Sequence, residues 1–140
     1  MIIIDTNVVS ELMRATPDPA VLAWFAGYAA DTLFLAAVSE AELRTGAAIL
    51  PAGQRRDRLV GAIDAMIDQD FAGRNLSFDS PAARSYAEIA ASRRAAGKPI
   101  MDADCQIAAI VRACSAMIAT RNVKDFEGCG IDVVNPWNPL

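Results

Sequence analysis

The sequence predicts an α/β fold in which a central parallel sheet carries helices on both faces. Three observations predict it. The chain opens on Ile2, Ile3 and Ile4, and an unbroken β-branched run is typical of a strand buried on both faces. Short β-type runs then alternate with helical periodicities along the chain, the pattern of strand–helix–strand units. The stretch from Met101 to Cys114 is almost wholly apolar beyond its first turn, which suits a buried helix.

The elements follow in order. The isoleucine strand stops at Asp5. Val8 to Arg14 forms a short helix that ends before Pro17. Asp18 caps a second helix with Pro19 in its first position; Val21, Leu22 and Phe25 form its apolar face with Trp24 beside them, and Gly27 lies near its end. Thr32 to Ala36 reads as a strand. A helix starting at Ser39 turns Leu43 and Ile49 inward and is ended by Pro51 and Gly53. Residues 54–70 form another helix, with Leu59, Ile63, Met66 and Ile67 at helical spacing. Asn75 to Phe78 is a short strand. Ser80-Pro81 caps a long alanine-rich helix that Gly97 terminates. The apolar helix, a strand at Ala116 to Ala119 and a last strand at Val133-Val134 complete the chain.

A length of 140 residues suits one domain, 1–140, with a sizeable core. Hydrophobic residues at 54% against 21% charged exclude a disordered chain. No apolar run reaches membrane-spanning length, and no basic segment precedes the first strand as in a signal peptide. Three cysteines without a CxxC pair point to a reduced, cytoplasmic protein. Net charge is −4, which taken alone argues against nucleic-acid binding. Arginines nevertheless cluster at Arg55, Arg56 and Arg58 and again at Arg93 and Arg94 with Lys98, and local fields can oppose the global charge. As solvated helix faces, these clusters are also unexceptional.

The absence of histidine narrows the chemistry most. It removes histidine-based triads, histidine acid–base catalysis and the commonest zinc sites. A metal held by carboxylates alone would be hard, Mg²⁺ or Mn²⁺. Right-handed crossovers bring the carboxyl ends of parallel strands to one edge. Asp5, with Thr6 and Asn7, and the group Thr120, Arg121 and Asn122 should therefore share that edge. Glu42 starts close to it as well, although Ser39-Glu40-Ala41-Glu42 also matches a capping box, in which Glu42 would only bond back to the backbone of Ser39. Asp102 and Asp104 open the apolar helix. A helix turns about 100° per residue, so residues two apart cannot share a face. One of the pair is expected in a site and the other as a cap.

Ile3-Ile4-Asp5-Thr6-Asn7, Ala41-Glu42-Leu43-Arg44-Thr45-Gly46, Asp104-Cys105-Gln106-Ile107-Ala108-Ala109 and Ala119-Thr120-Arg121-Asn122-Val123-Lys124-Asp125-Phe126 resemble the successive motifs of the PIN-domain family. The nearest likeness is to its VapC-type toxins of the FitB-like branch, and the closing Asn135-Pro136-Trp137 is similar to that branch too. Each motif alone is weak, but four in order at fitting spacings are specific.

The resemblance implies a PIN-like α/β/α ribonuclease whose acids bind Mg²⁺ or Mn²⁺. Matched position by position, Asp5, Glu42 and Asp104 are its metal-binding and catalytic acids. A fourth acid follows the fourth strand in many members. Here Asn122 takes that place, with Asp125 three residues on, so the second metal position is open. Thr6, Asn7, Ser39 and Arg121 are supporting candidates: the hydroxyls and the amide to position water or an acid, or to cap locally, and Arg121 to steady the RNA backbone or pair with an acid. The resemblance further implies a toxin of a type II toxin–antitoxin pair, a cognate DNA-binding antitoxin and a homodimer. Two rivals are a non-catalytic PIN-like module that binds RNA or a partner, and an Asp5-nucleophile phosphatase. The phosphatase requires a second aspartate two residues on, where Asn7 stands.

Overall fold

The computed structural model describes residues 1–139. The isoleucine run forms β1 (Ile2–Ile4), buried throughout. Asp5 turns the chain directly into α1 (Thr6–Leu12), whose ends both fall two residues earlier than the pattern suggested. Asp18 and Pro19 open α2 (Pro19–Ala26) as expected, the Asp18 side chain accepting from the Ala20 amide at 2.8 Å. Its inward face is Val21 and Trp24 with Phe25 half-buried, whereas Leu22 is 45% exposed. The i,i+3 pair sets that face, and Leu22 lies about 100° round from Val21.

β2 (Leu33–Ala36) follows a single 3₁₀ turn and runs without a loop into α3 (Ala37–Ala48). Ser39 therefore lies inside the helix, not at its start. Ile49, expected inward, lies just past the helix end and is exposed. The helix expected over 54–70 is α4 (Gln54–Ala65) followed by one π turn over Met66–Asp70. In that wide turn the Phe71 amide bonds the Met66 carbonyl at 2.9 Å, and both side chains reach the core. β3 (Asn75–Leu76) is shorter than expected, leaving Phe78 half-exposed. Asp79, rather than Ser80, caps α5 (Ser80–Ala95), accepting from the Ala82 amide at 3.1 Å. Gly97, at φ +71°, breaks the chain away from that helix. The last elements are α6 (Asp102–Ala113), β4 (Met117–Ala119) and β5 (Asp132–Val134).

The five strands are all parallel, in the order β3-β2-β1-β4-β5. The chain extends the sheet from β1 through β2 to β3, then returns to place β4 on the other side of β1. The order therefore reverses between β1 and β4, and in open α/β sheets that reversal opens a crevice beyond the carboxyl ends. Asp5 and Thr120 stand there, each the next residue after its strand.

Strand alternation divides the core in two. Ile2 and Ile4 pack with Val8, Leu33, Leu35 and Ile63 on the face covered by α1 to α4. Ile3 faces the other way, with Ile107, Ile110 and Ile118. α6 presses its apolar length against this second face, which explains why almost every residue after its first turn is apolar. Burying each of these large aliphatic side chains contributes roughly 1.5–3 kcal/mol, so the sheet's central strand is fixed from both sides. That rigidity holds Asp5 at the crevice.

Candidate metal centre

Asp5 has only 4% of its surface exposed. Its backbone amide extends the β1–β4 pairing by donating to the Ala119 carbonyl at 2.9 Å. Its Oδ1 accepts from the Thr6 amide at 2.8 Å, and its Oδ2 accepts from Thr120 Oγ1 at 2.7 Å and Asn7 Nδ2 at 3.0 Å. Asp5 thus caps α1 and also points its carboxylate into the crevice. Burial nevertheless pushes its pKa up, with Glu42 adding to the rise, while the bonds from Thr120, Thr6 and Asn7 pull the other way.

Glu42 arrives from the second turn of α3. It makes no capping box: the N-cap is Ala36, and Glu42 Oε1 accepts instead from Thr6 Oγ1 at 2.8 Å. Thr6 therefore links the two acids, its amide on Asp5 and its hydroxyl on Glu42. Ser39, in the first turn of the same helix, is fully buried, and its Oγ meets no hydrogen-bonding partner among the described residues.

Asp104 comes from the first turn of α6 and is half-buried. Its pKa is raised to about 6, first by burial and then by the charges of Asp5, Asp125 and Glu42; Arg93 opposes them. Four acids from four separate stretches of chain are thereby within electrostatic reach of one another. No lysine or arginine forms an ion pair with Asp5, Glu42 or Asp104 among the described residues. Nor do three acidic or thiol side chains converge tightly enough, among these residues, to form a ready-made cation cage. The donors are all hard oxygens, and no ion pair among the described residues relieves their repulsion. This donor set fits a hard divalent cation, and Glu42, exposed and tethered through one hydroxyl, has the freedom to close on it.

The other acid of the pair does not behave as expected. Asp102 opens α6 but makes no side-chain cap bond; it is exposed and accepts from the Tyr86 hydroxyl at 3.2 Å. Met101 holds the N-cap position, so the first amides of the helix are left to backbone and solvent rather than to a carboxylate.

Beyond β4, Asn122 is exposed and its side chain makes no hydrogen bond among the described residues; its amide donates to Thr120 Oγ1 at 3.0 Å. Asp125 sits in the 3₁₀ turn Val123–Phe126. Arg93 clamps that turn, Nη1 donating to the Asp125 and Glu127 carbonyls at 3.0 and 2.9 Å and Nε to the Lys98 carbonyl at 2.7 Å. Arg121 pairs with no acid among the described residues. Its guanidinium lies 4.8 Å from the centre of the Trp137 ring, a cation–π contact, and its amide donates to Asn7 Oδ1 at 3.0 Å.

A model described as "PIN domain" matches residues 2–127 of the chain. The chain belongs to the PIN-domain family. It is 47% identical over 139 residues to "VapC ribonuclease Y4jK" of Sinorhizobium fredii, and the match covers 99% of each chain. It is 39% identical over 138 residues to "Toxin FitB" of Neisseria gonorrhoeae, again over 99% of each. Its fold superposes on a solved structure of FitAB bound to the IR36 DNA fragment with a TM-score of 0.92 at 38% identity, covering 99% of this chain and 96% of the other.

The matched span of this PIN domain runs from β1 through the turn that carries Asp125, so it holds all four acids. Thr120 is the residue that sequence reasoning undervalued. The order of strands brings it to the edge, but nothing in its type distinguishes it from any other threonine. Only the register Ile4↔Ala119 shows that the next residue on each strand must face the other. Fully buried, Thr120 donates to Asp5 and accepts from Asn7 Nδ2 at 3.2 Å and from the Asn122 amide.

Proposed function

We propose that this PIN domain is a Mg²⁺- or Mn²⁺-dependent endoribonuclease and acts as the toxin of a type II toxin–antitoxin pair. The observation that carries the reading is the gathering of acids beside the crevice: Thr6 bridges Asp5 and Glu42, and the Asp104 carboxyl is raised to about 6, first by burial and then by the charges of Asp5, Asp125 and Glu42. Acids gathered in this way form one negative site beside a sheet crevice. The names of the relatives, a VapC ribonuclease and the toxin FitB, support the activity and the role.

Asp5, Glu42 and Asp104 would hold the cation. When bound, it supplies charge neutralisation at the phosphoryl oxygens and a lowered pKa for water at the site. The chain's own residues prepare that site. An ionised carboxylate has about four acceptor positions, and three of those on Asp5 are filled. The open one lies on Oδ1, which accepts only from Thr6. Thr120 and Asn7 both hold Oδ2, so the carboxylate cannot rotate away from the crevice. Thr6 keeps Glu42 within reach. Asp125, whose charge reaches Asp104, is the better fourth acid than Asn122, a neutral side chain open to solvent. Asp125 in that role weighs against the rival of a non-catalytic module.

The partners we infer are single-stranded or looped RNA as substrate and a DNA-binding antitoxin, with the toxin as a homodimer in the cytoplasm. The FitAB complex on DNA supports the antitoxin. Among the described residues no helix is long and apolar enough to cross a membrane.

Purified protein should cleave an unstructured RNA with Mg²⁺ or Mn²⁺ and stop when the metal is chelated; cleavage that survives exhaustive chelation refutes the reading. Thr120→Val keeps the shape of Thr120 and removes the hydroxyl shared by Asp5, Asn7 and Asn122. Supporting bonds of this kind are worth about 10–100-fold in metal affinity or activity. The expected result is a loss of that size in metal-dependent cleavage, recovered by Thr120→Ser, with both variants folded by circular dichroism. Unchanged cleavage in Thr120→Val would show that Asp5 is held well enough without it.

A further inference from the structure

A second feature adjoins the acidic edge. Between α1, α3 and α4 lies a cleft of about 400 Å³ that has Thr6 and Glu42 on one wall. Its size falls within the roughly 300–1,000 Å³ of small-ligand sites. Leu43, Leu50, Leu59 and Ile63 give it an apolar floor, and Arg14 and Arg55 stand at its rim. Arg14 is oriented by Glu11, with Nη1 3.1 and 3.2 Å from the two carboxylate oxygens. Arg55 is exposed and makes neither an ion pair nor a hydrogen bond among the described residues.

Gly46 also lines the cleft. A glycine inside a helix costs roughly 0.5–1 kcal/mol relative to alanine, so it calls for a reason. Close packing is not the reason here: a Cβ added at Gly46 would meet no atom within 4 Å. The space above it is open and continuous with the site.

Resting on the ribonuclease reading, we propose that this cleft is a nucleotide subsite. It seats the RNA unit next to the scissile phosphate, with the base on the apolar floor over Gly46 and the phosphate against Arg55 and Arg14. Charge complementarity carries the assignment. The chain is net acidic and its acidic edge strongly so, yet this apolar cleft beside that edge is lined by two guanidinium groups. Single-stranded RNA presents just this pairing, an unstacked base beside a phosphate. Arginine meets phosphate oxygens with a planar fork, and an apolar slot accepts any base face.

The test uses the full-length protein in an Asp5→Asn background, which holds the RNA intact, and reads binding of a fluorescein-labelled RNA tetranucleotide by anisotropy in Mg²⁺. Gly46→Leu puts bulk into the cleft from a position where a Cβ meets nothing within 4 Å and replaces a poor helix former with a good one, so its melting temperature should hold or rise. It should weaken binding at least tenfold relative to Asp5→Asn alone. Arg55→Gln should weaken binding and lower the slope of log K against log salt by about 0.7, the value for one single-strand phosphate contact. With Asp5 restored, Gly46→Leu should raise KM for the tetranucleotide. Equal binding in all three proteins overturns the subsite, as does a Gly46→Leu variant that binds RNA normally but changes its oligomeric mass or loses a protein partner. Failure of the protein with Asp5 restored to cleave any RNA overturns the ribonuclease reading instead, and the binding series still decides the subsite.

Discussion

Replacing Asp5 by asparagine is expected to abolish metal-dependent RNA cleavage and to relieve the growth arrest caused by producing the protein alone. The carboxylate is the fixed point of the site. It is buried at the end of the central strand and held by Thr6, Asn7 and Thr120, with one acceptor position left open. Asparagine keeps the shape but removes the charge and exchanges one oxygen for an N–H donor. A hard cation then keeps only a neutral amide oxygen there in place of a charged carboxylate. Removing even an outer partner of a metal ligand costs about 10–100-fold, so the loss here should be at least about 10²-fold. The fold should survive, because burial and Glu42 already disfavour the ionised form of Asp5 and the Thr120 hydroxyl can reverse to accept. Cleavage rate, soluble protein level and growth after induction are the three measurements. If the variant is as toxic as the parent at equal soluble level, Asp5 is not a ligand.

The sequence carried most of this site because its acids stand next to strong local signals. Asp5 ends an isoleucine run, and Asp104 opens a helix whose apolar face leaves no doubt about its burial. The elements misplaced by a few residues are those whose limits depend on packing. α3 starts at Ala37 because β2 passes into it without a loop, so the serine that looks like a cap is an interior residue. That shift decides what Glu42 does: away from the helix start it is free to bond Thr6. Leu22 and Ile49 are apolar yet exposed, because composition does not report which side of a short helix meets the sheet. The part least visible in sequence was the network across the β1–β4 reversal. Asn7 meets Thr120 and Arg121 there through bonds spanning more than a hundred residues of chain, and the Asn122 amide joins locally through Thr120; only strand order brings the two groups together.

Asp104 and Asp102 should separate cleanly in activity and in stability. Asp104 faces the other acids and its pKa in the folded protein is raised from 3.8 to about 6. A carboxyl raised on folding binds its proton more tightly in the folded state, so it stabilises at low pH and that stability is lost as the pH rises. Metal-free protein should therefore lose stability between about pH 4 and pH 6, as Asp104 ionises against Asp5, Asp125 and Glu42. Asp104→Asn should flatten that segment of the curve. At pH 7 it should melt higher than the parent, by on the order of 1 kcal/mol once solvent screening of a half-buried group is allowed for, or about 3 °C for a chain of this size. It should also be inactive. Added Mg²⁺ should raise the melting temperature of the parent, since a ligand that binds only the folded state stabilises it, and should not raise that of Asp104→Asn. Asp102→Ala loses a 3.2 Å bond from Tyr86 at an exposed position and caps nothing through its side chain. It should keep metal-dependent cleavage and give up no more than about 1 kcal/mol, mainly the favourable placing of a negative charge at a helix start. Melting curves from pH 4 to 8 with and without Mg²⁺, together with RNA cleavage by both variants, decide the matter. An active Asp104→Asn beside a dead Asp102→Ala would move the third acid two residues along α6, and the site around Asp5 would have to be rebuilt on the other face of that helix.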